Sequence, residues 1–231
     1  KIDMVIFDKT GTLTEGKPKV TDIVSYVADM ADEYVLVLGA SIEKFSEHPL
    51  AQAVVNAAQD KNLLFQEVHE FENLAGRGVR GRLGNDMILV GSGRLMKESG
   101  ISMSACEEKI EEWERQAKTI IAISQNNRVI GMIGIADTLK EGAQEAVAQL
   151  RRVGIATSMI TGDNKRTAEA IGAQAGIEKI FAEVLPHDKA EKVKFLQNEG
   201  LKVAFVGDGI NDAPALEQAD LGIAKGTRTD I

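Results

Sequence analysis

The chain has 231 residues, 44% of them hydrophobic and 27% charged, a balance that suits an ordinary folded protein of one large domain or two modest ones. Its 27 Lys and Arg against 35 Asp and Glu leave a formal charge of −8, which speaks against nucleic acid as a partner, since phosphate contacts need clustered cations. One cysteine, Cys106, excludes an internal disulfide and fits a reducing compartment, and no stretch approaches the ~20 apolar residues that span a bilayer.

The first apolar run, Ile2 to Phe7, is too short for a secretory leader and runs straight into a charged turn. Within it, Met4-Val5-Ile6-Phe7 predicts a strand buried on both faces. The abrupt start before that strand and the ragged end at Ile231 suggest a piece of something longer. Residues 23–132 have a different texture. Helical stretches at 47–61 and 102–116 are interleaved with short alternating strands at 66–71, 78–83, 87–90, 119–124 and 128–132. Turns such as Gly84-Asn85-Asp86 and Gln125-Asn126-Asn127 read as hairpin connections, so this stretch predicts an α+β domain on an antiparallel sheet.

After residue 133, strands and helices alternate. Strands are predicted at Ile133 to Ala136, Ile155 to Ile160, Lys202 to Val206 and Leu221 to Ala224, with helices at 139–152, 165–175 and 188–199. Such alternation implies an α/β fold with a parallel sheet and right-handed crossovers. A parallel domain with its first strand at residue 2 and the others beyond 133 must be interrupted. The expected organisation is therefore 1–22 with 133–231 as one domain and 23–132 inserted into it.

Ligands of a parallel sheet bind at the carboxyl ends of its strands. Four polar turns are predicted there: Asp8-Lys9-Thr10-Gly11-Thr12-Leu13-Thr14, Thr161-Gly162-Asp163-Asn164, Gly207-Asp208-Gly209-Ile210-Asn211-Asp212, and Pro186-His187-Asp188-Lys189 at the start of a helix. Together they suit phosphoryl transfer. A carboxylate such as Asp8 can attack phosphorus and hold it as an acyl phosphate. Mg²⁺ binds through one or two carboxylates plus substrate phosphate, which suits Asp8 and Asp208. Lys189 and the Thr161 hydroxyl can meet the equatorial oxygens where charge spreads in the transition state, and the glycines 11, 162, 207 and 209 allow close backbone approach. Each piece alone also has a plain structural reading. Asp163, Asn164 and Asp212 are natural helix caps, and Lys189 is a natural solvated helix start.

The seven residues Asp8 to Thr14 resemble the phosphorylation signature of the P-type ATPases, and Thr161-Gly162-Asp163 and Gly207 to Asp212 match that family's hinge motifs in order and spacing. The resemblance covers essentially the whole chain. It implies a haloacid-dehalogenase-like, Rossmannoid parallel-sheet phosphorylation domain with an inserted antiparallel nucleotide-binding domain. By this resemblance Asp8 is the nucleophile, Thr161 and Lys189 hold the phosphate, Asp208 binds Mg²⁺ with Thr10 contributing, and Asn211 and Asp212 support the site, as do Lys9, Gly11, Gly162 and Asp163.

In the middle stretch, Ser46-Glu47-His48-Pro49-Leu50 is similar to the signature of the heavy-metal-transporting branch. There a Glu five residues before the His helps bind adenine, and Glu43 is so placed. The loop Gly76-Arg77-Gly78 and Gly91 would complete the nucleotide site, with Ser92 where the family usually has Asn. Taken alone, His48 reads better as a helix-start histidine before Pro49, and the glycine loop as any tight turn. The resemblance implies the cytosolic, ATP-binding part of an integral membrane pump, copper or silver favoured over zinc, cadmium or lead. The metal-binding membrane helices and the actuator domain would be supplied by the rest of the same polypeptide. Two other readings stand beside it. One is a free-standing phosphatase of the same fold, which would need an acid–base Asp where Thr10 stands. The other is a nucleotide-sensing module without catalysis, against which the intact Asp8, Lys189 and Asp208 argue.

Overall fold

The computed structural model describes residues 1–74, 76–209 and 212–225. In chain order the strands are β1 (Met4–Asp8), β2 (Lys19–Ser25), β3 (Val68–Leu74), β4 (Gly78–Leu83), β5 (Asp86–Gly91), β6 (Thr119–Gln125), β7 (Arg128–Ala136), β8 (Ala156–Ile160), β9 (Lys179–Phe181), β10 (Val203–Gly207) and β11 (Leu221–Ala224). The helices are α1 (Asp32–Glu43), α2 (Pro49–Asp60), α3 (Gly93–Glu98), α4 (Glu107–Arg115), α5 (Ala143–Arg152), α6 (Lys165–Ala175), α7 (Lys189–Asn198) and α8 (Ala213–Gln218).

The chain divides into two compact units, Lys1–Lys17 with Asp137–Ile231, and Pro18–Ala136. The first unit is built on a five-stranded sheet in the order β11-β10-β1-β8-β9. Every pairing in it is parallel. β1 is its centre, and the apolar run of β1 is buried on both faces, as a parallel sheet covered by helices requires. Ile6, Phe205 and Ile160 pack with Val193 and Leu196 of α7 into one core. Burying each such side chain stabilises by roughly 1.5–3 kcal/mol.

The second unit is a six-stranded antiparallel sheet in the order β2-β7-β6-β5-β4-β3. Alternation of side chains along its strands gives it two apolar faces. Ile121, Ile123, Ile133 and Ile135 pack with Leu36, Ile42 and Val54 of α1 and α2. Ala122 and Met132 point the other way, onto Leu95, Met96 and Trp113 of α3 and α4, and Cys106 is buried with them.

Two predicted elements and both junctions are corrected. Ile133 to Ala136 belongs to β7 and pairs antiparallel with β2 and β6, so it is not a strand of the parallel sheet. The chain crosses between the units at 17/18 and 136/137, outside the expected 22 and 132, because β2 and the end of β7 close one edge of the antiparallel sheet. The helix expected from 139 begins only at Ala143, after Gly142 at φ 81°. Residues 137–140 are used instead as a strap against the loop after β1. Thr14 and Leu139 form an antiparallel bridge, Glu15 N donates to Thr138 O at 2.8 Å, and Lys140 N donates to Leu13 O at 2.9 Å.

Candidate active site

Asp8 is the last residue of β1, and its neighbours β8 and β10 end beside it. In register Asp8 lies opposite Ile160, and Phe7 lies opposite Val206. Thr161, which follows β8, and Asp208, which follows β10, therefore leave the sheet at the same edge as Asp8. After Asp8 the chain turns sharply through 9–13, helped by Gly11 at φ 72°, a left-handed conformation costly for any residue with a Cβ. Thr14 stitches the turn. Its hydroxyl donates to Lys9 O at 3.1 Å and accepts from Gly11 N at 3.3 Å.

Lys189 opens α7 and sends its ammonium inward. Nζ lies 2.7 Å from Asp8 Oδ1 and 2.7 Å from Asp212 Oδ1, and all three side chains are buried. Asp212 precedes α8 but makes no side-chain cap to it. Its second oxygen, Oδ2, accepts from Asp208 N at 3.3 Å. Gly207 makes this fit possible, since a Cβ there would lie 2.3 Å from Asp212 Oδ2. The solvated-lysine and helix-cap readings of Lys189 and Asp212 thus give way to a buried triad of two carboxylates and one ammonium.

A second group stands on the β8 side. Thr161 is buried, donates to Asp163 Oδ2 at 2.9 Å and accepts from Asp163 N at 3.1 Å. Asp163 Oδ2 also meets the Lys9 ammonium at 2.8 Å. The loop after β1 is in this way tied to the loop after β8. Asn164, by contrast, is a cap, accepting from Thr167 N at 3.1 Å. Gly162 has room for a Cβ, the nearest atom being Val184 O at 3.6 Å. Thr10 is exposed, and Asn211 lies outside the described residues.

Two carboxylates around one ammonium leave this buried group one negative charge in excess. Burial pushes Asp8 up to about 6, with the Asp212 and Asp208 charges adding to the effect and Lys189 pulling against it. Lys189 is itself held above the ordinary lysine range by Asp8 and Asp212, although burial opposes this. A buried ion pair is weak evidence for stability, because desolvation offsets most of the Coulomb gain. Its clustering at the ligand-binding edge of a parallel sheet points to chemistry.

The Mg²⁺ fit rests on Asp8 and Asp208. The Asp208 carboxylate lies alongside the loop, Oδ2 being 3.9 Å from where a Gly11 Cβ would stand, and its charge is felt at Asp8. No three acidic, His or Cys side chains form a ready metal cage among the described residues. Mg²⁺ does not need one, since it keeps water and substrate oxygens among its ligands. Hard carboxylate oxygens with an excess of negative charge fit the ion.

In the other unit, Glu43 ends α1 and is buried. Desolvation pushes its carboxyl up to about 7. The loop from Glu43 to His48 is held by Ser46, whose N donates to Glu43 O at 2.8 Å and whose hydroxyl accepts from His48 N at 3.3 Å. His48 is the cap of α2, its Nδ1 accepting from Leu50 N at 3.1 Å, which leaves Nε2 as the protonated nitrogen of the neutral ring. Gly78 and Gly91 face each other in the β4–β5 ladder. A Cβ on Gly78 would lie 2.2 Å from Val90 O, and one on Gly91 would lie 2.5 Å from Arg77 O, so close backbone crossing accounts for both. Gly76, at φ 70° in the turn, has nothing within 4 Å of a built Cβ. Ser92 caps α3, accepting from Leu95 N at 3.2 Å.

Three participants were not singled out from the sequence. Thr14 carries a visible signal, as the last residue of the seven-residue signature. Asp137, whose carboxylate accepts from the Gly16 and Lys17 amides at 3.2 Å each, and Lys140, which donates to the Gly11 and Thr12 carbonyls, carry none. They sit some 120 to 129 residues away in the chain.

Residues 2–220 match the model of a hydrolase family described as haloacid dehalogenase-like hydrolase. The chain is 50% identical, over its whole length, to a probable copper-exporting P-type ATPase of Archaeoglobus fulgidus. It spans 28% of the length of that protein and of the copper-exporting P-type ATPase of Staphylococcus aureus, to which it is 44% identical. Among solved structures, a catalytic CPx-ATPase domain, CopB-B, is 30% identical with a TM-score of 0.73, the match covering 100% of this chain and 80% of that one. A zinc-transporting PIB-type ATPase in its E2.Pi state is 36% identical with a TM-score of 0.68, the match covering 100% of this chain and 37% of that one.

Proposed function

The chain belongs to the haloacid dehalogenase-like hydrolase family, and from that premise we propose that it is the catalytic part of a heavy-metal-transporting P-type ATPase in which Asp8 accepts the γ-phosphoryl group of ATP. The observation that carries this reading is the buried Asp8–Lys189–Asp212 triad at the end of the central strand.

Asp8 attacks phosphorus through a carboxylate oxygen, the bond from phosphorus to the bridging oxygen of ADP breaks, and ADP leaves with that electron pair. Lys189 neutralises charge on the transferred group while keeping Asp8 aimed. Asp212 holds Lys189 in place, and Asp163 holds Lys9 and the Thr161 hydroxyl near the entering phosphate. Asp8 and Asp208 would hold Mg²⁺, with Thr10 beside them, and the bound ion would offset the charge of the phosphate oxygens. Glu43, His48 and the turn at Gly76-Arg77-Gly78, with Gly91, would receive the adenosine end of ATP. Thr10 stands where a phosphatase of this fold carries the acid–base Asp, so water is not activated there and the acyl phosphate persists. Copper is favoured as cargo over zinc because the Archaeoglobus fulgidus and Staphylococcus aureus relatives are named copper exporters. In the whole protein the cargo would cross through membrane helices outside this chain, which would place these residues on the cytosolic side.

The test is labelling with γ-³²P ATP and Mg²⁺, followed by acid quench. The expected product is an acid-stable, hydroxylamine-labile phosphoprotein that Asp8→Asn abolishes while nucleotide affinity is kept, the amide being isosteric but not nucleophilic. Label that persists in Asp8→Asn would overturn the assignment.

A further inference from the structure

The loop that follows Asp8 is held by the returning chain as much as by its own strand. Asp137 accepts from the Gly16 and Lys17 amides, Glu15 and Thr138 are paired backbone to backbone, Thr14 and Leu139 form a bridge, and Lys140 N donates to Leu13 O. At the end of this strap, opposite the Gly11-Thr12 part of the loop, a side chain takes over from the backbone. The Lys140 ammonium donates to Gly11 O and, at 3.0 Å, to Thr12 O.

Two consecutive carbonyls on one ammonium fix two peptide planes. In a trans peptide the N–H points opposite to the C=O, so the N–H groups of Thr12 and Leu13 are turned to the side away from Lys140. The Lys9 carbonyl is likewise occupied by Thr14, through its N at 3.0 Å and its hydroxyl at 3.1 Å. A carbonyl oxygen left free to swing toward Asp8 would meet the oxygens of an incoming phosphoryl group with like partial charge. Lys140 removes two of the loop's carbonyls from that danger and adds a positive charge behind the loop.

We propose that Lys140 is a positioning residue for phosphoryl transfer, its ammonium holding the Gly11 and Thr12 carbonyls so that the loop behind Asp8 keeps the conformation that receives the phosphoryl group. The inference rests on the reading of Asp8 as the phosphoryl acceptor. It assigns no contact between Lys140 and the substrate. The charged groups that face Lys140 are Lys225, just after β11, and Glu15 and Asp137 on the two sides of the strap. Desolvation, with Lys225 adding to it, holds the Lys140 ammonium well below the ordinary lysine range, at about 8, while Glu15 and Asp137 pull the other way. The ammonium and its full hold on the carbonyls are present below that pH and are lost as pH rises through it. Arginine at this position would stay charged throughout.

Acetyl phosphate separates the chemistry from nucleotide binding. Asp8 attacks its phosphorus, the bond from phosphorus to the acetyl oxygen breaks, and acetate leaves. The rate of phosphoprotein formation on the full chain with Mg²⁺ is measured from about pH 6.5 to about pH 9.5 for the wild type, Lys140→Met and Lys140→Arg, with the folded fraction of each checked by circular dichroism. Lys140→Met is expected to lower the maximal rate about tenfold or more, with half-saturating acetyl phosphate changed by no more than about twofold. Lys140→Arg is expected to stay within about threefold of the wild type at pH 7 and, unlike the wild type, to show no fall through about pH 8. A role in stability alone would leave the wild-type shape of the profile in every variant and make the loss in Lys140→Met follow its folded fraction. That outcome, or a Lys140→Met rate equal to wild type, overturns the proposal. Absence of phosphoprotein in the wild type overturns the reading of Asp8 itself.

Discussion

At the scale of single residues, the two units carry the same physical mark in different chemistry. Each buries a carboxyl group where burial alone is unfavourable, Asp8 in one and Glu43 in the other. Glu43 is the cleaner case, because desolvation is the single cause of its shift from about 4.5 to about 7. In the unfolded chain it ionises near its ordinary value, whereas the folded unit keeps it protonated up to about 7. The stability it allows is therefore fully present below about 4.5 and is lost progressively as pH rises to about 7, by about 3 kcal/mol in all. Glu43→Gln removes that loss, since the amide does not ionise. At pH 8 the variant is expected to be more stable to urea by about 1–3 kcal/mol, with the gain vanishing near pH 4.5. If Glu43 serves adenine, the same variant binds ATP several-fold more weakly, and calorimetry beside the urea titration reads both. Stability and affinity moving in opposite directions marks a residue kept for function; equal affinity would make Glu43 a structural liability only. That such residues belong to a site was legible from their place in motifs, but their burial and their partners were not. Nothing local in the sequence says that Asp163 meets Lys9, or that Asp212 turns from its helix to Lys189, because each pairing crosses from one strand end to another.

Elements were legible where a period shows and illegible where burial erases it. Helix α4 sets Ile110 and the buried Trp113 among charged residues, and it falls within the helical stretch expected at 102–116. Helix α1 was missed. It buries Val35, Leu36, Leu38 and the unbroken run from Gly39 to Glu43, so apolar and small residues face nearly every direction and no stripe stands out. Strand β2 was missed for the opposite reason. Its side chains are exposed or half-buried, and alternation is diluted by Lys19, Thr21 and Asp22. The turn 76–78 is where element and site meet, and its two glycines separate the explanations. Gly78 sits at φ 151° with Val90 O crossing at 2.2 Å and Gly91 Cα at 2.8 Å from a built Cβ. Gly78→Ala must part β4 from β5 and is expected to destabilise the unit by about 2–4 kcal/mol, overpacking added to backbone strain. Gly76 has open space around it, so Gly76→Ala meets only the left-handed φ of 70° and should cost about 1 kcal/mol. Thermal melts give both values. A loss of ATP affinity in Gly76→Ala at nearly full stability assigns this turn to nucleotide binding; unchanged affinity makes it a turn like any other.

For the whole molecule, the alternation of strands and helices after residue 133 and the hairpin texture before it were enough to separate a parallel sheet from an antiparallel one. They were not enough to place the junctions. A strand that lies next to a junction looks the same whichever sheet it joins, and Ile133 to Ala136 has the apolar run of a buried parallel strand while pairing antiparallel with β2. This difference has a measurable consequence for the inserted unit. A fragment of residues 18–136 keeps the β2–β7 ladder whole, from Lys19 opposite Ala136 to Ser25 opposite Gly131. A fragment of 23–132 removes Lys19, Val20 and Asp22 from that ladder, together with Ile133, which is fully buried, and Ile135, which is 1% exposed. Each buried isoleucine contributes roughly 1.5–3 kcal/mol, and losing two is a large part of the 5–15 kcal/mol that holds an ordinary domain. The 18–136 fragment is expected to unfold in one cooperative step, and the 23–132 fragment to melt far lower or to lack a cooperative transition. The unit has no Gly-x-x-x-x-Gly-Lys-Ser/Thr run with which to cradle phosphates. Nucleotide recognition by 18–136 should then rest on base and ribose, with ATP, ADP and AMP binding within about tenfold of one another, or ~1.4 kcal/mol, and with little need for Mg²⁺. Calorimetric titration of the folded fragment decides this. A strong preference for ATP over AMP would mean that phosphate contacts lie within residues 18–136, and the search for them would begin at the exposed Arg77 beside the glycine turn.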